Sequence, residues 1–406
     1  MKLKDIQTFI VGNPPPSFGG RYFLFVRLEA DNGIVGYGEM YGASVGPTVQ
    51  CAVAEDLFAR HCDGASPFDI EVLFRRFHSS GFSQRPDPTV MAAFSGIEIA
   101  CWDIVGKALD QPVHKLLGGR VQEGLRSYTY LYPGEGEDAA AFYNDADASA
   151  QRAAELVEQG FTAIKFDPGG PYTEYDPHQP ALFDLSRSEL FCKRIREAVG
   201  DRADLLFGTH GQFTPEGAAR MARRLEPYEP LWFEEPTPPE MPEDMARVAA
   251  QTCIPIATGE RLTTKYEFAR VLRTGAASIL QPALGRVGGI LEAKKIAAIA
   301  EVHYAQVAPH LYCGPIEALA NIQLGACIPN FLLLESIGRF DNFHSQLLDH
   351  PIRWEDGHVI PSDRPGLGHA LNEEMARAHP WTGDRLHLEM QAEPYDYRSE
   401  YAFGGG

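Results

Sequence analysis

The sequence predicts an α/β protein: a TIM-like (β/α) barrel fronted by an N-terminal α+β cap, with a C-terminal segment that returns to the cap. Three observations carry this expectation. From about Phe161 onward, short β-rich runs alternate with longer stretches of helical period, the pattern of βα units around parallel strands. The runs number eight once Leu125 to Leu131 is counted, enough to close a barrel. Residues 1–122 break the alternation with paired strands followed by helical segments. The expected divisions are therefore a cap over 1–122, a barrel over 123–360 and a returning segment over 361–406.

In the cap, RYFLFVRLEA and GIVGYGEMYG read as a hairpin turned at Asp31-Asn32-Gly33. After the run at Leu125, the barrel strands are expected at Thr162 to Asp167, Asp204 to Gly208, Leu231 to Glu234, Ile254 to Thr258, Ser278 to Gln281, Gln306 to Pro309 and Phe331 to Glu335. Between them lie helix starts. Thr214 before Pro215 suits an N-cap and first-turn proline, Thr263-Thr264 precedes KYEFARVLR, and Gly288-Gly289 opens ILEAKKIAAIAEVH. A doubly wound sheet would need a Gly-rich phosphate loop after an early strand, which the sequence lacks. From Pro361 onward Pro, His, Glu and Tyr dominate and periodicity is weak, so a loose end at Gly404 to Gly406 is expected.

The composition, 44% hydrophobic and 22% charged, is that of a globular enzyme. Lys and Arg total 36 against 55 Asp and Glu, a net charge of −19 that repels phosphate backbones and anionic lipid. Nucleic acid and membrane are therefore not expected as partners. The seven cysteines are scattered, with no C-x-x-C pair, so neither a disulfide framework nor a zinc cluster is indicated. No run reaches the roughly 18 consecutive apolar residues of a membrane span, and a cytoplasmic protein is expected.

Chemistry in such a barrel sits where polar residues close the apolar strand runs. LWFEEP places Glu234 and Glu235 at one tip, and IATGE places Glu260 just past the next. Neighbouring strands lie about 4.8 Å apart, so two such carboxylates can share a hard cation, for which magnesium fits best. A single strand-end Glu is about as often a helix cap or an ion-pair partner; two on successive strands shift the balance. GTHGQ sets His210 two residues past the third tip and VAPH sets His310 at the seventh. A lone histidine is usually structural, but two at barrel mouths flanking carboxylates suit acid and base work, because imidazole titrates nearest neutrality. Lys165 beside Asp167 in AIKFDP can serve as a base or hold a substrate carboxylate, and Glu335 closes FLLLE. The loop GNPPPSFGGRY offers a lid, with Gly19 and Gly20 as hinge and Arg21 as a substrate-binding cation.

Taken in order, SGIEIACWDIVGKALDQPVHKLLGG, FEEP, IATGERL, LQPALGRVGGI, VAPHLYCGPI and Glu335 resemble the enolase superfamily, specifically its mandelate racemase group and the galactonate and mannonate dehydratases within it. The resemblance spans essentially the whole chain. It implies a Mg²⁺ site, with Mn²⁺ tolerated, in which Glu234 and Glu260 match two of three metal ligands. It likewise implies proton-transfer roles for His210 and His310, a catalytic or carboxylate-binding role for Lys165, and substrate contact for Glu335. Two positions depart from the pattern: Gly208 stands where the first metal-ligating Asp is expected, and Ala283 where an Asp would orient His310. Water, His210 or Asp167 can fill the first gap. The implied reaction removes the proton α to a carboxylate and expels a β-hydroxyl, giving a 2-keto-3-deoxy acid. A racemase, epimerase or cycloisomerase on the same scaffold, or a decayed sugar-acid-binding protein, are the alternatives. The expected partners are a small-molecule sugar acid and further copies of the chain in a homo-oligomer.

Overall fold

The computed structural model describes residues 1–42, 44–82 and 87–397; the expected loose end at Gly404 to Gly406 lies outside them. The cap opens with an antiparallel sheet, β1 (Leu3–Gly12), β2 (Tyr22–Ala30) and β3 (Val35–Met40), in that order. β2 and β3 form the hairpin, with Gly33 at φ +83° in its turn. Three helices follow, α1 (Pro47–His61), α2 (Ile70–Ser79) and α3 (Pro88–Ala108). Asp87 caps α3 by accepting from the N–H groups of Thr89 and Val90, and Pro88 fits the first turn, where its missing N–H costs nothing.

By length and hydropathy α3 is apolar enough to cross a membrane, yet 83% of its most apolar window is buried inside the protein. It is apolar on all sides because it lies between β3 and the barrel segments Leu284–Val287 and Gly289–Val302. Its few polar residues join the two. Ser95 Oγ accepts from Gly288 N, and Glu98 accepts from Ile290 N and Leu291 N, capping the barrel helix from the cap side. Asp103 accepts from Tyr37 N and Leu367 N and pairs with Lys107. Gly289 sits at φ +83°, and a Cβ there would lie 1.9 Å from Glu98 Oε2. Gly289→Ala therefore adds backbone strain to a clash at the cap–barrel joint, and should cost roughly 2–5 kcal/mol. A thermal midpoint unchanged from wild type would contradict this account of the joint.

Eight parallel strands form the barrel: β4 (Leu125–Tyr130), β5 (Ala163–Phe166), β6 (Asp204–Gly208), β7 (Trp232–Glu234), β8 (Ile256–Thr258), β9 (Ile279–Leu280), β10 (Gln306–Val307) and β11 (Leu334–Ser336). They pair in sequence from β4 to β10, and β11 pairs β4. The ring closes through a parallel bridge between Val307 and Phe331, with Val307 N donating to Asn330 O and Leu332 N to Val307 O. Inside lies one buried layer drawn from every strand or its edge: Tyr128, Ala163, Leu206, Trp232, Ala257, Ile279, Ala308 and Leu333. Large and small residues alternate loosely around it, and Tyr128 meets Trp232 edge to face at 5.3 Å. A short hairpin, β12 (Trp354–Glu355) and β13 (His358–Val359), adds antiparallel to the start of β4.

Helix starts follow the sequence logic with one difference. Thr214 caps its helix through its side chain, which accepts from Gly217 N. Thr263 has no side-chain cap bond; Glu267 instead reaches back to accept from Thr263 N and Oγ1. The last segment runs back along the cap and across the barrel mouth. Pro380 bridges Val11 at the edge of β1, the buried His387 faces the carbonyls of Tyr22 and Tyr312 through its two ring nitrogens, and Gln391 pairs with the loop at Thr173.

Candidate active site

Strand side chains alternate, so the residue two beyond each interior position should reach the mouth. Counting forward from the interior layer gives Tyr130, Lys165, Gly208, Glu234, Gly259, Gln281, His310 and Glu335. Seven of these are site residues or the gap between them, and the exception explains itself. Gly259 has φ +146°, open to glycine, and this turn brings Glu260 into the mouth in its place.

Lys165 Nζ lies 2.6 Å from Glu234 Oε1 and 3.6 Å from Glu335 Oε1. Gln281 Nε2 donates to the other Glu234 oxygen at 2.8 Å, and Leu311 N donates to Glu335 Oε2 at 2.8 Å. Glu260 stands between two imidazoles: its Oε1 is 3.7 Å from His210 Nε2 and its Oε2 3.3 Å from His310 Nε2. On its other side His210 turns Nδ1 toward Asp167 Oδ2 at 3.5 Å, while the Tyr130 hydroxyl donates to Asp167 Oδ1. Glu235 turns away from this group and is held by Arg261 at 2.8 Å. β6 ends at Gly208, yet a Cβ there would face Lys165 Cε at 3.3 Å and Asp167 Cβ at 3.4 Å, so positions 208 and 210 do share the mouth.

Burial raises Asp167 to about 6 and Glu335 to about 7, against the opposing pull of the Tyr130 hydrogen bond on the first and of Lys165 on the second. For Lys165, burial works downward, but Glu234 and Glu335 outweigh it and hold the side chain firmly as ammonium. Burial also disfavours the Glu260 carboxylate; the two imidazoles, Lys165 and Arg261 overcome it and keep the group below the usual carboxylate range. Both histidines are lowered chiefly by burial, His310 to about 3.

The mouth thus gathers Lys165, Asp167, His210, Glu234, Glu260, His310 and Glu335. Arg21 lies elsewhere: it is 9% exposed, with Nη1 donating to Leu386 O and facing Glu389 at 3.4 Å, so it ties the cap to the returning segment. The loop before it still reaches the barrel, because Phe18 stacks on Tyr132 at 4.0 Å. Sequence reasoning missed Tyr130 and Gln281, although the two-residue period marks both. It also missed Tyr41, whose ring stacks on His310 at 5.5 Å with Arg286 over it at 4.0 Å. That contact crosses from cap to barrel and has no local signal. A compact group elsewhere, Asp349, His350 and His369, already holds Arg364 against both Asp349 and His350.

Residues 148–375 match the model for the enolase C-terminal domain-like family, and residues 16–118 match that for the mandelate racemase / muconate lactonizing enzyme N-terminal domain. The chain belongs to the mandelate racemase/muconate lactonizing enzyme family of the enolase superfamily. Within this family it is 35% identical to a D-galactonate dehydratase of Pectobacterium atrosepticum, covering 92% of this chain and 93% of the relative. It is 34% identical to a D-xylonate dehydratase of Haloferax volcanii, covering 95% and 90%. A solved mandelate racemase/muconate lactonizing enzyme from Sulfitobacter sp. superposes with a TM-score of 0.96 at 58% identity, covering 98% of this chain and 100% of that one. The cap-plus-barrel architecture expected from the sequence is the architecture of this family.

Proposed function

We propose that this enzyme is a sugar acid dehydratase acting on an aldonic acid with the help of a divalent cation, magnesium before manganese. The observation that carries the reading is Glu260 set between His210 and His310, beside a Lys165 ammonium held by Glu234 and Glu335. The two dehydratase relatives support it, because D-galactonate and D-xylonate are both aldonic acids.

The residues fit a cation. Asp167, Glu234, Glu260 and Glu335 are all buried, and among the described residues Lys165 is the one Lys or Arg within ion-pairing distance of any of them. Glu260 Oε2 has no hydrogen-bond partner among the described residues. Buried carboxylates in such excess need either protons or another positive charge. Glu234 and Glu260 would hold the ion as hard-oxygen ligands. When bound, it supplies positive charge that stabilises a developing enediolate.

The protein's own groups supply the rest. The Lys165 ammonium orients and neutralises the substrate carboxylate, favouring the state in which negative charge builds there. One histidine takes the proton from C2 as the C2–H pair moves into the carboxylate. The other face of the site returns a proton to the C3 hydroxyl, which leaves as water while the C2–C3 double bond forms. The resulting enol ketonises to the 2-keto-3-deoxy acid. Incubation with magnesium and a panel of aldonic and aldaric acids, read by 2-keto acid formation, should give turnover on an aldonic acid. Exchange of the C2 proton with solvent deuterium and no keto acid would instead point to an epimerase, and binding without either change to a sugar-acid-binding protein.

A further inference from the structure

The alignment of charge around the two histidines is asymmetric. His310 pairs by backbone bridge with Ala283, a methyl group that can accept nothing, and His310 Nδ1 is buried with no hydrogen-bond partner among the described residues. Its ring is placed by packing on Tyr41 and by Asn321 Nδ2 donating to its carbonyl. His210 Nδ1 likewise makes no hydrogen bond among the described residues, but unlike that of His310 it has a carboxylate beside it. This Nδ1 faces the Asp167 carboxylate at 3.5 Å, the Nε2 of the same ring faces the mouth, and the edge of Tyr172 packs on the ring at 4.4 Å.

Asp167 is built for that place. It is 6% exposed, it follows Lys165 by two residues and so shares its face, and the Tyr130 hydroxyl braces its far oxygen. The glycine at 208 belongs to the same arrangement. A Cβ there would stand 3.4 Å from Asp167 Cβ and 3.5 Å from its Cγ, so an aspartate at 208 would press on the carboxylate that serves His210.

We infer that Asp167 is the positioning residue for His210: the carboxylate–imidazole pair sits just past the ends of the second and third strands, and Asp167 accepts Nδ1–H so that the Nε2 lone pair faces the substrate. This rests on the dehydratase reading above and refines it, assigning removal of the C2 proton to His210. A carboxylate on Nδ1 fixes the tautomer and the ring plane, and stabilises the imidazolium that forms when Nε2 takes a proton. Asp167 itself exchanges no proton. A separation of 3.5 Å is long for this bond, and such contacts tighten when substrate fills the site.

Three measurements test the inference. Asp167→Asn should lower kcat on the aldonic acid that the substrate panel identifies by roughly 10²- to 10⁴-fold, with KM and the calorimetric magnesium Kd within about threefold of wild type. Asp167→Glu should recover part of kcat. In ¹⁵N spectra of the imidazoles, with His210→Asn identifying the signal, wild-type His210 should carry its proton on Nδ1, and Asp167→Asn should abolish that preference. A wild-type Nε2–H tautomer overturns the inference, as does an Asp167→Asn enzyme of near-normal kcat. Loss of magnesium affinity by about tenfold or more in Asp167→Asn also overturns it, making Asp167 a metal ligand. The tautomer measurement needs no substrate, so a wild type that turns over no sugar acid removes the dehydratase reading while leaving the pairing of Asp167 with His210 separately decided.

Discussion

His210→Asn should reduce kcat by roughly 10²- to 10⁴-fold, the usual worth of a positioned proton-transfer group, and leave magnesium affinity within about threefold of wild type. The separation of the two effects is the point. A ligand removed weakens the metal, whereas a base removed slows the chemical step. Asn keeps the size and polarity of the ring edge near Tyr172 and Asp167, so the site should not collapse. His210 lies between Asp167 and Glu260, both carboxylates, and an imidazole there could be drawn into a metal shell as nitrogen donor. Magnesium prefers oxygen, which argues for the proton-transfer role. A fall in magnesium affinity as large as that of a lost carboxylate ligand would show His210 to be a ligand instead.

Glu260→Gln should weaken magnesium binding by more than about 100-fold, because even outer partners of a metal site are worth about 10- to 100-fold and Glu260 is expected to be a direct ligand. Turnover should fall with it. The substitution keeps volume and removes the one carboxylate that both histidines face, so the loss can be read from calorimetry without substrate. Unchanged magnesium titration would remove the metal from the proposed function. Gly208→Asp is the complementary change: it returns a carboxylate to the third strand tip and should tighten magnesium, provided Lys165 and Asp167 yield the few tenths of an ångström that its Cβ requires.

Much of this was legible in the sequence because it follows from local period. Eight β-rich runs between helical stretches foretold the barrel, and the residue closing each run foretold its mouth. Lys165, Glu234, His310 and Glu335 each stand two residues beyond an interior side chain, a relation that a strand imposes whatever surrounds it. Cap signals such as Thr214-Pro215 worked for the same reason, since capping involves a few neighbouring residues.

Tertiary structure decided what neighbouring strands and the cap bring together. Nothing local says that Arg21 would turn to Leu386 and Glu389 rather than to the site, that Tyr41 would lie on His310, or that Gln281 would hold the second oxygen of Glu234. Each is a contact between segments far apart in the chain, and no period within one segment encodes it. The two positions that read as losses, Gly208 and Ala283, show the same division. The sequence, set beside the family it resembles, showed that a carboxylate was missing from the third strand tip and another from the sixth. Only the folded barrel placed Asp167 against His210, because parallel pairing of β5 with β6 sets the Asp167 side chain beside the space that glycine leaves open, and such proximity is a property of register between strands rather than of either strand alone.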